Sequence, residues 1–166
     1  MHQIKKLVFK SGFAFFCALI FSCDENNHVG NSKNKNQTLL MQKSIIQTDK
    51  APAPIGPYSQ AVMAGNLLFV SGQVAIIPAT GQVLQGDITA ETKQVMENIH
   101  AILTEAGMGF ENIVKTSIFL KNMDDFAKVN EMYGSNFSGD FPARETVQVS
   151  RLPKDVNVEI SVIAAK

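Results

Sequence analysis

"FPARETVQVSRLPKDVNVEISVIA", residues 141–164, carries the pattern on which the fold turns. Val147 and Val149 alternate with Arg144, Thr146, Gln148 and Ser150. Val156, Val158, Ile160 and Val162 alternate with Asn157, Glu159, Ser161 and Ile163. Alternation of period two is the mark of a half-buried strand, because successive side chains point to opposite faces. The spacing predicts strands over 145–151 and 156–164, and "RLPKD" between them is short enough to make them antiparallel neighbours. With helices over the valine face, Arg144, Thr146 and Glu159 then share the opposite face. Pro142 favours extended backbone just before it and fixes the guanidinium at the mouth of the strand. Read from the pattern alone, these polar residues also fit a solvated sheet face with a weak cross-strand ion pair.

Upstream, "SIIQT" reads as a first strand, and "APAPIGPYSQAVMAGN" as a turn-rich extended path. "SQAVMAGNLLFVSGQV" reads as a hairpin turning at Gly65-Asn66, and "PATGQV" as another turn. From Thr89, taken as N-cap, Val95, Met96, Ile99, Ile102, Leu103 and Ala106 form a helical stripe that Gly107 terminates. "NIVKTSIFLKN" is a strand. Asp124 is expected to cap a second helix carrying Phe126, Val129, Met132, Tyr133 and Phe137. The pattern is α+β, with helices on one face of a mixed sheet.

The chain has 166 residues, enough for one domain with a core. Its zero formal charge hides a basic leader: beyond residue 22 there are 12 basic and 15 acidic side chains. No basic tract with interleaved aromatics supports a nucleic-acid groove. Both cysteines, Cys17 and Cys23, lie in the first 23 residues, and after His28 only His100 remains. That distribution disfavours a cysteine nucleophile, a disulfide framework, a histidine-based triad and a Cys/His zinc site. His100 lies off the centre of its helical stripe and reads as an exposed histidine.

"MHQIKKLVFKSGFAFFCALIFSC" opens with lysines and continues with an apolar run, Gly12 to Phe21, too short to span a membrane. Ile20-Phe21-Ser22-Cys23 resembles a bacterial lipobox. Residues 1–22 are therefore expected to be a signal peptide, and residues 23–43 a lipidated Cys23 with a flexible linker. The folded domain is expected over 44–166, exported and membrane-anchored on the periplasmic or cell-surface side.

"APAPIGPYSQAV", "LLFVSGQV", "ATGQV", "IVKTSIFLKNMDDFAKVNEMY", "FPAR" and "RLPKDVNVEISVIA" are similar, in order, to the RidA (YjgF, reactive intermediate deaminase) family over roughly residues 44–166. The resemblance implies a chorismate-mutase-like α+β fold, a mixed sheet with two helices on one face, assembled as a homotrimer with sites between subunits. It implies hydrolysis of 2-imino or enamine acids, such as 2-iminopropanoate/2-aminoacrylate and 2-iminobutanoate, to 2-oxo acids and ammonia, without metal or organic cofactor. Carried across residue by residue, it implies that Arg144 binds the substrate carboxylate and that Glu159 is the carboxylate associated with the attacking water. Tyr58 and Ser71 become polar pocket residues, Gly72 allows close backbone approach, and Asn130 supports the pocket. Thr146 stands where the family often has cysteine, and Glu145 where a small residue is common. Ile77 and Ser161 stand where polar and acidic residues are common, and the stretch between Tyr133 and Phe141 is shortened.

The chemistry suits these types. A guanidinium fork binds a carboxylate bidentately, which lysine cannot reproduce, and a partly buried carboxylate can position and deprotonate water. A metabolite-binding module on the same trimeric fold is the alternative reading, and an RNA-directed activity comes third because the chain beyond the leader is acidic.

Overall fold

The computed structural model describes residues 42–166. The expected signal peptide, Cys23 and all but the last residues of the linker lie outside them. Six strands and two helices follow in the order β1 (Lys43–Ile46), β2 (Ala61–Ala64), β3 (Leu67–Gln73), α1 (Ile88–Glu105), β4 (Ile113–Leu120), α2 (Phe126–Gly134), β5 (Ala143–Gln148) and β6 (Val158–Ala165). They form one mixed sheet of order β1-β2-β3-β6-β4-β5. Among the described residues no helix is long and apolar enough to cross a membrane.

Two strand–helix–strand crossovers build the right half of this sheet. The β3–α1–β4 crossover leaves a gap that β6 fills antiparallel to both, and β4–α2–β5 then adds a parallel neighbour. Crossovers between parallel strands are right-handed almost without exception. Both of these step in the same direction along the sheet, so both helices land on one face. Leu68, Val70, Ile118, Ile160, Val162, Val95, Ile99, Leu103, Val129 and Tyr133 meet between sheet and helices in the main core.

The hairpin at Gly65-Asn66 forms as expected, with Ala64 opposite Leu67 and Gly65 at φ 62°. Gly107 likewise ends α1 at φ 68°, a conformation that glycine adopts without a Cβ penalty. The N-caps differ from expectation. The carboxylate of Asp87, not Thr89, accepts the hydrogen bond from the Thr89 backbone N–H at 3.0 Å. For α2, Asn122 accepts from the Asp124 N–H at 3.1 Å and opens a short 3-10 turn, Met123–Asp125, that runs into the helix. In both cases the capping group lies two residues before the residue expected.

The larger correction concerns the last two strands. They are not neighbours, because β4 lies between them. Residues 149–157 therefore step across the end of β4, a width of about 10 Å. Hydrogen bonds from Val149 N–H to Leu120 O (2.9 Å) and from Lys121 N–H to Asn157 O (3.0 Å) tie this connection down. Leu152 and Val156 are buried in a satellite cluster with Val74 and Ile76. Between those anchors the chain reverses through two consecutive left-handed residues, Lys154 (φ 61°) and Asp155 (φ 57°).

A side chain in that region costs about 1–2 kcal/mol relative to right-handed backbone. Lys154→Gly is therefore expected to raise the thermal midpoint by a few degrees without altering the fold, since the Lys154 carbonyl keeps its bond to Gln85. Calorimetric melts of the two proteins check this. A lowered midpoint would show that the left-handed turn carries no strain.

Candidate active site

The register of β4 decides where the polar residues go. Arg144 lies opposite Thr116 and Thr146 opposite Ile118, whereas Glu159 lies opposite Phe119. Thr116 and Phe119 are an odd number of residues apart, so their side chains point to opposite faces. Arg144 and Thr146 thus stand on the helix-covered face and Glu159 on the open face. The expectation that all three share a face is overturned. It assumed a β5–β6 pair, and interposing β4 reverses the parity.

The expected site residues instead gather in two half-sites. Tyr58, Ser71, Gly72 and Glu159 line a cavity of about 260 Å³, completed by Ile55, Val74 and Pro153. Asn130 and Arg144 line another, of about 410 Å³, with Tyr133, Gly134, Phe141 and Pro142.

In the Glu159 half-site, Gly72 sits against the carboxylate so closely that an added Cβ would overlap it. Ser71 Oγ donates to the Ser59 carbonyl at 2.7 Å, and Tyr58 Oη accepts from the Ile55 N–H at 3.2 Å. The loop before Tyr58 hangs on one buried side chain. Gln60 accepts from Thr48 N–H at 2.8 Å and donates to the carbonyls of Thr48, Ala51 and Pro52 at 3.0, 3.1 and 2.9 Å. Its amide does for this strandless segment what a partner strand would do. Burial pushes the Glu159 carboxyl above its ordinary value.

The Arg144 half-site is built on aromatic rings. The guanidinium carbon lies 5.1 Å from the Tyr133 ring centroid and 5.9 Å from that of Phe126, within cation–π range. Tyr133 Oη shares a hydrogen bond of 3.0 Å with Thr116 Oγ. Burial pushes the Tyr133 phenol up, opposed by that hydrogen bond and by the Arg144 charge. Asn130 Oδ1 and Thr146 Oγ are buried without a hydrogen-bond partner among the described residues. Such atoms are costly unless something else satisfies them.

Two arginines make an instructive contrast. Arg151 is engaged bidentately by Asp155, at 2.6 and 3.0 Å. Arg144 has no ion pair among the described residues, so its fork of donors is free. Tyr133 and Phe126 were legible only as apolar helix positions. Their seven-residue separation, two turns of α2, was the signal that both would face one strand residue. Glu145, on the open face, pairs with Lys115 and accepts from Ser117. Among the described residues no group of three His, Cys, Asp or Glu side chains is placed to share a metal ion.

A carboxyl with a raised folded pKa favours the native state while protonated, and that contribution is lost as pH rises through the folded value. Glu159→Gln cannot ionise. It is expected to leave the melting temperature unchanged below about pH 4 and to raise it at neutral pH. Melts across pH check the sign, and a shift equal at all pH values would show that burial of the charge is not its cause.

Residues 48–166 match the family model Endoribonuclease L-PSP. A RutC family protein of Pyrococcus abyssi is 54% identical over 126 residues, covering 76% of this chain and 99% of its own. The crystal structure of RidA from the Antarctic bacterium Psychrobacter sp. superposes with a TM-score of 0.72 at 45% identity, over 74% of this chain and 99% of that one. The structure of E. coli TdcF with bound serine superposes with a TM-score of 0.72 at 40% identity, over 74% of this chain and 98% of that one. The sheet order, the two helices on one face and the sequence match agree: the chain belongs to the Endoribonuclease L-PSP family, with the RutC and RidA proteins.

Proposed function

We propose that this protein hydrolyses reactive 2-imino acids and their enamine tautomers, such as 2-iminopropanoate and 2-iminobutanoate, at sites assembled between copies of a homotrimer. The observation that carries the reading is the free Arg144 fork on one sheet face together with a half-buried Glu159 on the other. One chain cannot bring both to a single small molecule. A second copy can, if its Glu159 half-site closes over the Arg144 half-site. The two unpartnered polar atoms, Asn130 Oδ1 and Thr146 Oγ, then gain a ligand or a neighbour to satisfy them.

The open face supports assembly. Ile45, Val62, Phe69 and Ile163 form one cross-strand row on it, and Glu159, Phe119 and Val147 follow one another in a second. Ile45, Phe69 and Val147 are 52%, 42% and 42% exposed, more apolar surface than a sheet face left in water ordinarily carries. Charge complementarity with nucleic acid is absent from the described residues, where acidic side chains outnumber basic ones. The serine held by TdcF carries a carboxylate next to a nitrogen-bearing carbon, the same pair of groups as a 2-imino acid.

In the proposed site Arg144 binds the substrate carboxylate bidentately and so orients the imine carbon toward Glu159. Glu159 takes a proton from water as the water oxygen bonds to that carbon. The C=N π electrons move to nitrogen and Glu159 returns the proton there, giving a carbinolamine. As its C–N bond breaks, the O–H bonding electrons form the C=O bond and the hydroxyl proton passes through Glu159 to the departing nitrogen, leaving the 2-oxo acid and ammonia. A carboxyl lifted by burial is a better base than an exposed one. This chain's own side chains supply every group these steps need.

Arg144→Lys is expected to raise KM sharply, and Glu159→Gln to lower kcat by roughly 10²–10⁴-fold. Subunit mixing tests the composite site directly. Arg144→Ala and Glu159→Ala, each inactive alone, should regain up to about a quarter of wild-type activity when refolded together, because random mixing pairs an intact half with an intact half at that frequency. A mixture as inactive as its components, from subunits shown to exchange, would refute a site shared between copies.

The segment Ile20-Phe21-Ser22-Cys23 supports export with a lipid anchor at Cys23, placing the domain outside the cytoplasm. Cys23→Ala should then move the protein from the membrane to the soluble fraction, or stall its processing. Wild-type protein recovered in soluble form without an acyl chain would refute the anchor.

A further inference from the structure

A further cavity, of about 320 Å³, lies where the last turns of α1, the turn before β4 and the loop after α2 meet. It has no part in the reaction proposed above. Its lining holds His100, the only histidine among the described residues, and two carboxylates, Glu111 and Asp140, but no lysine or arginine. Neither carboxylate is in an ion pair among the described residues. That of Glu111 folds back over Gly109, another lining residue, so closely that an added Cβ would overlap it. Asn136 commits its amide nitrogen to the carbonyls of Met132 and Tyr133, at 2.8 and 3.4 Å, and has its oxygen left to offer.

The apolar part of the lining is aromatic. The Phe110 and Phe137 rings meet with centroids 5.8 Å apart and planes inclined by 53°, and the His100 imidazole stacks on Phe110 at 5.2 Å. Phe137 also meets Tyr133 at 4.8 Å and Phe141 at 5.8 Å, and both of those line the Arg144 cavity. The two cavities thus share an aromatic partition and differ in charge. One holds a free guanidinium, the other two unpaired carboxylates.

Two carboxylates and an amide oxygen make a lining rich in acceptors, and the matching ligand is one of donors. An ammonium group carries three donors and accepts nothing. Aromatic rings are the other half of organic-cation recognition, because their faces attract positive charge and their bodies pack against apolar groups. A metal ion does not fit: His100, Glu111 and Asp140 are not placed to share one, and the phenylalanines offer it no ligand. We propose that this cavity binds a small organic ammonium ion, a primary amine carried on a flat apolar body. The cavity is of a size for a small molecule. The proposal stands on this lining alone and does not depend on the reaction assigned to Arg144 and Glu159.

The test is calorimetric titration of the full chain with three probes. Benzylammonium has both charge and ring, methylammonium lacks the ring, and benzyl alcohol lacks the charge. Benzylammonium should bind saturably, one per chain, about tenfold more tightly than methylammonium and about tenfold more tightly than benzyl alcohol. Glu111 and Asp140 are exposed, so Glu111→Gln and Asp140→Asn should keep the wild-type melting temperature. Each should weaken benzylammonium binding about threefold, and the double variant about tenfold. The Glu159 half-site also combines a carboxylate with apolar walls, so Glu159→Gln is the control for location and should leave the affinity unchanged. Absence of benzylammonium binding, or equal affinity for benzyl alcohol or methylammonium, would overturn the proposal. So would binding that survives the double variant and is lost in Glu159→Gln, which would move the amine to the other cavity.

Discussion

Everything in this molecule that bears on function follows from β6 running down the middle of the sheet. Because it enters between β3 and β4, it is bonded on both sides, and its alternating residues are divided strictly between core and open face. Val158, Ile160, Val162 and Ala164 go inward, and Glu159, Ser161 and Ile163 go outward. A central strand cannot slip by one residue without exchanging those sets, which would bury a carboxylate among valines. The position of Glu159 is therefore fixed by the same alternation that forms the core. Arg144, on the edge strand β5, is fixed relative to it through β4.

Local pattern revealed what local interactions determine. The turn at Gly65-Asn66, the apolar stripe of α1 and the glycine that ends it were legible because each involves residues a few positions apart. The caps were misread by two residues because Asp87 and Thr89, like Asn122 and Asp124, are all competent capping types. Only the backbone path decides which one precedes the first turn. The pairing of β5 with β6 was misread for a deeper reason. A short "RLPKD" between two alternating runs is the ordinary signal of a hairpin. Nothing local records that β4, laid down earlier in the chain, already occupies the adjoining position. The site residues were each identifiable by type and by resemblance. Their division between two faces was not, because it depends on how many strands intervene. Tyr133 was hidden in plain view as an apolar helix residue, since its contact with Arg144 is with the ring face.

The loops that carry the Glu159 half-site are held by buried polar side chains, where an apolar core would leave them loose. Gln60 satisfies four backbone groups of the segment before Tyr58. Fully buried Glu91 accepts from Gly86 N–H, Asn157 N–H and the Asn157 amide, at 3.0, 2.9 and 2.6 Å. The second of these ties the start of α1 to the residue preceding β6, two positions from Glu159. Such networks are high in consequence: satisfied they fix one geometry, and with one partner removed they leave a buried group unpaired. Irregular backbone near Tyr58 and Asn157 thus attains the rigidity that a catalytic geometry needs without belonging to the sheet.

Dividing an arginine and a carboxylate between faces also resolves a chemical conflict. Arg151 and Asp155, four residues apart in one surface turn, close into a bidentate pair that engages both carboxylate oxygens. Arg144 and Glu159 within one pocket of one chain would be drawn to the same end, and substrate would have to compete with an intramolecular ion pair at high effective concentration. Separate rigid strands prevent that collapse. In the proposed assembly each group reaches the shared cavity already held by its own sheet, Glu159 by the backbone of Gly72 and Arg144 by the rings of Tyr133 and Phe126. The two can then stand a substrate's length apart. On the proposed reading, the carboxylate that neutralises Arg144 arrives with the ligand, and binding it positions the imine carbon for attack.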